Sequence, residues 1–177
     1  MKAKPFELAQ SLLNSTLVDR IRRNHGLEHA TLAILSQRHP RTSMAGHSDF
    51  RGFRILGEVS QEEVSAAMEE GLRRMRAGER HLAVHPNCGT NFVTSGVLAG
   101  SAAALAMFGA GRRLRDKLDR LPVAITLATV ALMVAQPLGL LLQEEITTSG
   151  EPGALRVVQI TSTRHGKIQS HRVITEG

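Results

Sequence analysis

The sequence has no tryptophan, no tyrosine and a single cysteine, Cys88. One cysteine excludes an internal disulfide framework, so Cys88 serves as a thiol, a metal ligand, an acylation site or buried filler. Without Trp and Tyr the chain lacks the aromatic belt common at lipid interfaces. Charge is also missing, but only locally: nearly all the long uncharged sequence lies between Gly89 and Gln143. No N-terminal signal is legible, because SLLNSTLV is short and polar and is followed by DRIRR rather than by small residues.

Two apolar runs fill the uncharged region: GTNFVTSGVLAGSAAALAMFGAG (residues 89–111) and LPVAITLATVALMVAQPLGLLLQ (residues 121–143). Each reaches the roughly 20 residues that a helix needs to cross a hydrocarbon core. The missing charges outweigh the missing aromatics, and the pair predicts a two-helix transmembrane hairpin. Gly96 and Gly100 form a small-xxx-small pair of the kind that lets membrane helices approach closely. Gln136 and Pro137 predict a kink or a polar contact inside the second run.

A net charge of +6 raises the question of nucleic acid, and its distribution argues against it. The basic excess is +3 before Gly89, +3 in RRLRDKLDR (residues 112–120) and zero after Gln143. Only the short loop is dense in charge, and such a cluster beside apolar runs suits anionic headgroups better than a DNA groove. The lipid bilayer is therefore the expected partner, with an unidentified substrate and a homo-oligomer also expected, and nucleic acid is not.

The rest reads as soluble. PFELAQSLLNSTLVDRIRR and HGLEHATLAILSQRH carry helical periodicity up to Pro40, although Gly26 weakens the second stretch by up to about 1 kcal/mol relative to Ala. A glycine there makes sense if something approaches the backbone. TSMAGHSDFRGFRILGEVS reads as a strand pair, and Ser60 with Glu63 makes a capping box for an amphipathic helix that stops at Gly78. After the second run, ALRVVQITSTRHGKIQSHRVIT predicts two strands turning at RHG. The expected fold class is α+β: a small N-terminal helical/β domain over residues 1–88, the transmembrane helical hairpin over 89–143 and a C-terminal β-hairpin over 144–177.

In HGLEH, positions i, i+3 and i+4 of a helix share a face, so His25, Glu28 and His29 point the same way. Two imidazoles one turn apart can grip one ion while a neighbouring carboxylate takes a proton from water, the arrangement of zinc peptidase helices. A solvated polar face is the simpler reading of such a motif in isolation. A second cluster, His81, His85 and Cys88, lies in a segment that Pro86 and Gly89 force to turn, with Cys88 at a helix start, where the dipole favours thiolate. Thiolate and imidazole are ligands of zinc or iron. Glu79 is a reserve ligand or a surface carboxylate. His39, His47, His165 and His171 read as surface residues, and Asp49 as ordering its own turn.

HGLEHA followed by HPNCGTNF just ahead of an apolar helix resembles the YqhQ-like family of uncharacterised bacterial membrane proteins, often described as metal-dependent enzymes, and still more a shorter sister family of unknown function. The resemblance runs from about Asn24 to Phe92 and includes GHSDFRGFRILGEV and AGERHLAVHPNCGTN. It implies a shared site of His25, Glu28 and His29 with His85 and Cys88, and no particular substrate. The chain departs from the YqhQ-like pattern at Ala30, where a basic residue is usual, and at Asn87 and Asn91, where Arg and Ser are usual.

The expected function is a membrane-associated, metal-dependent hydrolase, peptidase-like, with a divalent transition metal such as zinc held by His25, His29, His85 and Cys88, and with Glu28 as general base. A site next to an apolar run suits a membrane-protein segment or a lipid-like substrate. The soluble parts are expected in the cytoplasm. Two rivals stay open: a non-enzymatic membrane scaffold whose His/Cys site is a closed structural one, and a Cys88 nucleophile with a histidine base.

Overall fold

The computed structural model describes residues 15–177, so the first part of the helical pattern beginning at PFELAQ lies outside the described residues, as does the side chain of His165. The described residues divide into two compact units: those up to His85 together with Glu144–Gly177, and Pro86–Gln143.

In the first unit, helix α1 (Thr16–Arg38) is followed by strands β1 (Ala45–Asp49) and β2 (Gly52–Gly57), helix α2 (Gln61–Arg76) and a 3₁₀ turn (Arg80–Ala83). Strands β3 (Arg156–His165) and β4 (Ile168–Glu176) come after the second unit. The four strands form one antiparallel sheet in the order β1-β2-β4-β3. β4 lies between β2 and β3, so residues 144–177 complete the sheet that β1 and β2 begin. The two expected hairpins are present, and β3 turns into β4 at Gly166, whose φ of 66° accommodates the tight reversal.

Alternation along β2 sends Phe53 and Ile55 inward and Arg54 and Leu56 outward. The inward pair meets Leu27, Ile34 and Leu35 of α1, Val64 and Met68 of α2, and Val173 of β4 in one core. Each of these side chains contributes about 1.5–3 kcal/mol by leaving water. Ser60 caps α2 with both bonds of the expected box, Glu63 N–H to Ser60 Oγ at 3.2 Å and Ser60 N–H to Glu63 Oε2 at 2.8 Å.

Asp49 orders its turn as expected, accepting Arg51 N–H at 2.8 Å, and it also accepts Arg172 Nη2 at 2.8 Å from β4. The Arg172 contact holds its carboxyl below the usual aspartate range. A group depressed in the folded state stabilises above its unfolded pKa and loses that contribution as pH falls. Thermal melts followed below about pH 4 should therefore show a shallower acid loss in Asp49→Asn than in the wild type.

His171 departs from the surface placement expected from sequence. It is fully buried, with Nε2 donating to Val59 O at 2.9 Å and Nδ1 2.7 Å from Ser162 Oγ. It lies opposite Ser162 across β3 and β4, where a cross-strand partner satisfies a buried polar ring. His47 is exposed, and His39 pairs with Glu63 at 2.8 Å near the surface.

In the second unit, α3 (Gly89–Met107) and α4 (Leu114–Leu142) pack along each other. Both are long and apolar enough to cross a membrane, with mean hydropathy of 1.2 and 2.0 over their apolar windows. Only 11% of each window is buried, which is unlike the core helix of a soluble protein. α4 continues through Pro122 and Pro137, and Thr126 Oγ1 donates to Pro122 O at 2.9 Å. The close approach between the two helices is at Gly139, beside the Asn91 side chain, whereas nothing lies near Gly96 or Gly100. The buried polar contact is not at Gln136, which is exposed, but at Gln143, whose Nε2 donates to Asn91 Oδ1 at 2.7 Å.

Candidate metal centre

The middle of α1 is buried almost all the way round. Residues 26–31 are all inside, more than a single apolar stripe of a helix can cover. That burial brings polar groups in with it, and each must find a partner. Asn24 Nδ2 donates to Asp49 O at 2.9 Å, and Asn24 Oδ1 accepts Thr175 Oγ1 at 2.6 Å. Thr31 Oγ1 donates back to Leu27 O at 2.7 Å.

The two histidines of the motif are held by backbone carbonyls. His29 Nδ1 lies 2.7 Å from Ala83 O at the end of the 3₁₀ turn, and His25 Nδ1 lies 2.9 Å from Thr147 O. A carbonyl oxygen only accepts, so each Nδ1 carries a proton, and in the neutral form of each ring the lone pair is on Nε2. This is the tautomer that metal-ligating histidines adopt when an outer carbonyl orients them.

The rings are close together. His25 and His29 have centroids 4.4 Å apart at 67°, and His29 and His85 have centroids 6.0 Å apart at 56°. Two imidazoles bound tetrahedrally to one ion at about 2.0–2.1 Å have centroids roughly 5 Å apart, a value these two separations bracket. Burial holds the His85 imidazole below its ordinary pKa, which favours the neutral, ligating form.

Glu28 has a different neighbour. Ser48 Oγ donates to Glu28 Oε2, and Gly46, on the same face of β1, lies so close that a methyl group there would overlap the carboxylate. Burial raises the Glu28 pKa, while the Ser48 bond and the charges of His25 and His47 pull it down. Replacing Ser48 with Ala leaves a buried carboxylate without this donor, at an expected cost of about 1–3 kcal/mol in a denaturant titration.

Gly26 has the close neighbour that its place in a helix suggests. The Ser149 carbonyl packs on it so tightly that a Cβ would overlap the oxygen, and Ser149 N–H donates to Arg22 O at 2.9 Å. Arg22 Nη2 donates to Glu145 O at 2.9 Å. Residues 145–149 are thus laid along α1, which delivers the Thr147 carbonyl to His25.

Within the first unit the structure therefore brings His25, His29 and His85 together and aims Glu28 at β1. His81 is exposed, and Glu79 pairs with Arg74 at 2.6 Å. Cys88 is the buried N-cap residue of α3 in the second unit, three residues beyond His85, with Sγ 3.6 Å from Thr90 Oγ1. His25 and His29 offer imidazole donors of the kind that a transition metal ion takes. Sequence reasoning missed Ser48, Gly46 and the carbonyls of Ala83 and Thr147. Period-two spacing flags the first two as one strand face, whereas a backbone carbonyl leaves no sequence signal.

A family model described as Domain of unknown function (DUF6391) matches residues 20–160, most of the chain and every residue named for the centre. The chain belongs to the DUF6391 family. This DUF6391 chain is also 33% identical over 143 residues to an uncharacterized protein of Picosynechococcus sp. (strain ATCC 27264 / PCC 7002 / PR-6), covering 73% of the chain and 66% of that relative. It thus spans about two-thirds of the relative's length. No solved structure matches it.

Proposed function

We propose that this DUF6391 chain is a membrane-associated, metal-dependent hydrolase. His25, His29 and His85 hold the ion, Glu28 is the general base, and Cys88 is a fourth ligand or lines an open position. The observation that carries the reading is that His25 and His29 both donate Nδ1–H to a backbone carbonyl, with His85 beside His29. Outer-shell bonds of this kind fix the tautomer, raise ligand basicity and cost nothing at the moment of binding. The resemblance of HGLEHA and HPNCGTNF to the YqhQ-like pattern supports the same set.

A bound divalent ion, zinc by donor chemistry, supplies a Lewis acid and lowers the pKa of water. Glu28 suits a base because burial lifts its proton affinity and the Ser48 hydroxyl orients its carboxylate. α3 and α4 act as the anchor, since their apolar surfaces are long enough to span and mostly uncovered.

The Ser48 contact also favours a second reading, a structural site in a non-enzymatic scaffold, because it ties the Glu28 carboxylate to the sheet. Metal analysis and X-ray absorption on the purified full-length protein separate the two. Three protein donors plus one oxygen from water support hydrolysis, and four nitrogen and sulfur donors support the scaffold. Protein that holds no stoichiometric ion after zinc is supplied and excess removed sinks both.

A further inference from the structure

The turn joining α3 to α4, taken together with the start of α4 that follows it, combines charge and apolar surface. Arg112, Arg113, Arg115 and Lys117 are all exposed. Between and beside them, Phe108 is 81% and Leu114 72% exposed, more than a turn of a soluble protein normally leaves to water. The other charged groups of the turn have defined places. Arg120 Nη1 donates to Ala106 O at 3.2 Å and to Phe108 O at 3.0 Å, satisfying orphan carbonyls at the end of α3. Asp116 packs against Gly111 and accepts Arg113 N–H at 3.3 Å, capping α4 from within, and Asp119 is exposed one helical turn after Arg115. Arg120 and Asp116 thus shape the turn, and the four remaining cations outnumber the one outward carboxylate.

We propose that this turn is a contact site for anionic lipid: Arg112, Arg113, Arg115 and Lys117 take headgroup phosphates while Phe108 and Leu114 enter the boundary of the acyl chains. The inference rests on the membrane-anchored reading given above and adds the lipid class. The chemistry fits on both sides of the interface. Guanidinium groups bind phosphate oxygens through paired N–H donors, and a juxtamembrane cluster of four to eight cations is the size that recognises acidic headgroups. Exposed Phe and Leu beside cations match an interfacial anchor, with the apolar groups at acyl depth and the charges at the phosphates.

The test uses the full chain, extracted from membranes of mixed phosphatidylglycerol and phosphatidylcholine, with the co-purifying lipid measured by mass spectrometry. Wild-type protein should retain phosphatidylglycerol in excess of its bulk share. Changing all four cations to Gln should lower that enrichment by about tenfold or more. Arg→Lys at the three arginines should keep most of it, and Arg41→Gln, Arg51→Gln and Arg73→Gln together, all exposed in the first unit, should leave it unchanged. If the Gln variant fails to fold, raising ionic strength on wild-type protein should erode the enrichment in its place. Enrichment that survives both the Gln changes and high salt overturns the lipid contact while leaving the anchor intact. Wild-type chain released from membranes by alkaline carbonate overturns the anchored reading, and the lipid contact with it.

Discussion

His29→Ala is expected to lower metal affinity by roughly 100- to 1,000-fold, and His25→Ala to have an effect of the same order. Structural zinc sites bind with about 10–16 kcal/mol, so one of up to four ligands carries about 3 kcal/mol. His29 also loses its bond to Ala83 O, which leaves a buried carbonyl short of a partner. His85→Ala should match these losses, while His81→Ala, exposed on the same segment, should retain the ion. Glu28→Gln is the informative contrast. It keeps the three imidazoles, so bound metal stays near the wild-type level, and hydrolysis falls by about 10²–10⁴-fold if the carboxylate is the base. Elemental analysis after dialysis reads the first effect, and turnover of a panel of peptide and ester substrates reads the second. Wild-type metal content in both His25→Ala and His29→Ala would falsify the assignment.

Gly26→Ala is expected to destabilise the first unit and to weaken the proposed metal binding together. Helix propensity alone predicts a gain of up to about 1 kcal/mol from this change. Packing predicts the reverse, because the new methyl group overlaps the Ser149 carbonyl, and backbone gives way less readily than a side-chain tip. Overpacking of this kind costs about 1–3 kcal/mol, so a net fall in melting temperature is expected. The displaced segment includes Thr147, whose carbonyl orients His25. Loss of such an outer partner lowers metal affinity by about 10–100-fold. Gly96→Ala, where nothing lies nearby, is the matched control and should change neither property. An unchanged or raised melting temperature in Gly26→Ala would show that residues 145–149 do not press on α1 as the structure has them.

Much of the architecture could be read from short-range patterns. The Ser60–Glu63 box placed the start of α2 because two residues three apart complete a local bond pair. Turn residues punctuating short apolar stretches marked the two strand pairs, and the two uncharged runs became α3 and α4 because length and composition alone decide such helices. His25, Glu28 and His29 stood out for the same local reason. The Gly96 and Gly100 spacing does not mark where α3 meets α4, since i, i+4 spacing says which residues share a face but not which face meets a neighbour. His171 misled in the opposite direction: a histidine in an exposed-looking hairpin became core once β4 took an inner place in the sheet.

The sequence by itself determined the elements, the apolar runs and the residue types offered to an ion, because each depends on periodicity or composition within a few turns of chain. Only the tertiary structure decided that residues 144–177 complete the first unit's sheet, that Thr147 and Ala83 fix the proton on each Nδ1, and that Ser48 holds Glu28. Those contacts join residues far apart in the chain, two of them through backbone carbonyls that every residue type carries. Their placement follows from which surfaces bury each other, and no local pattern encodes that.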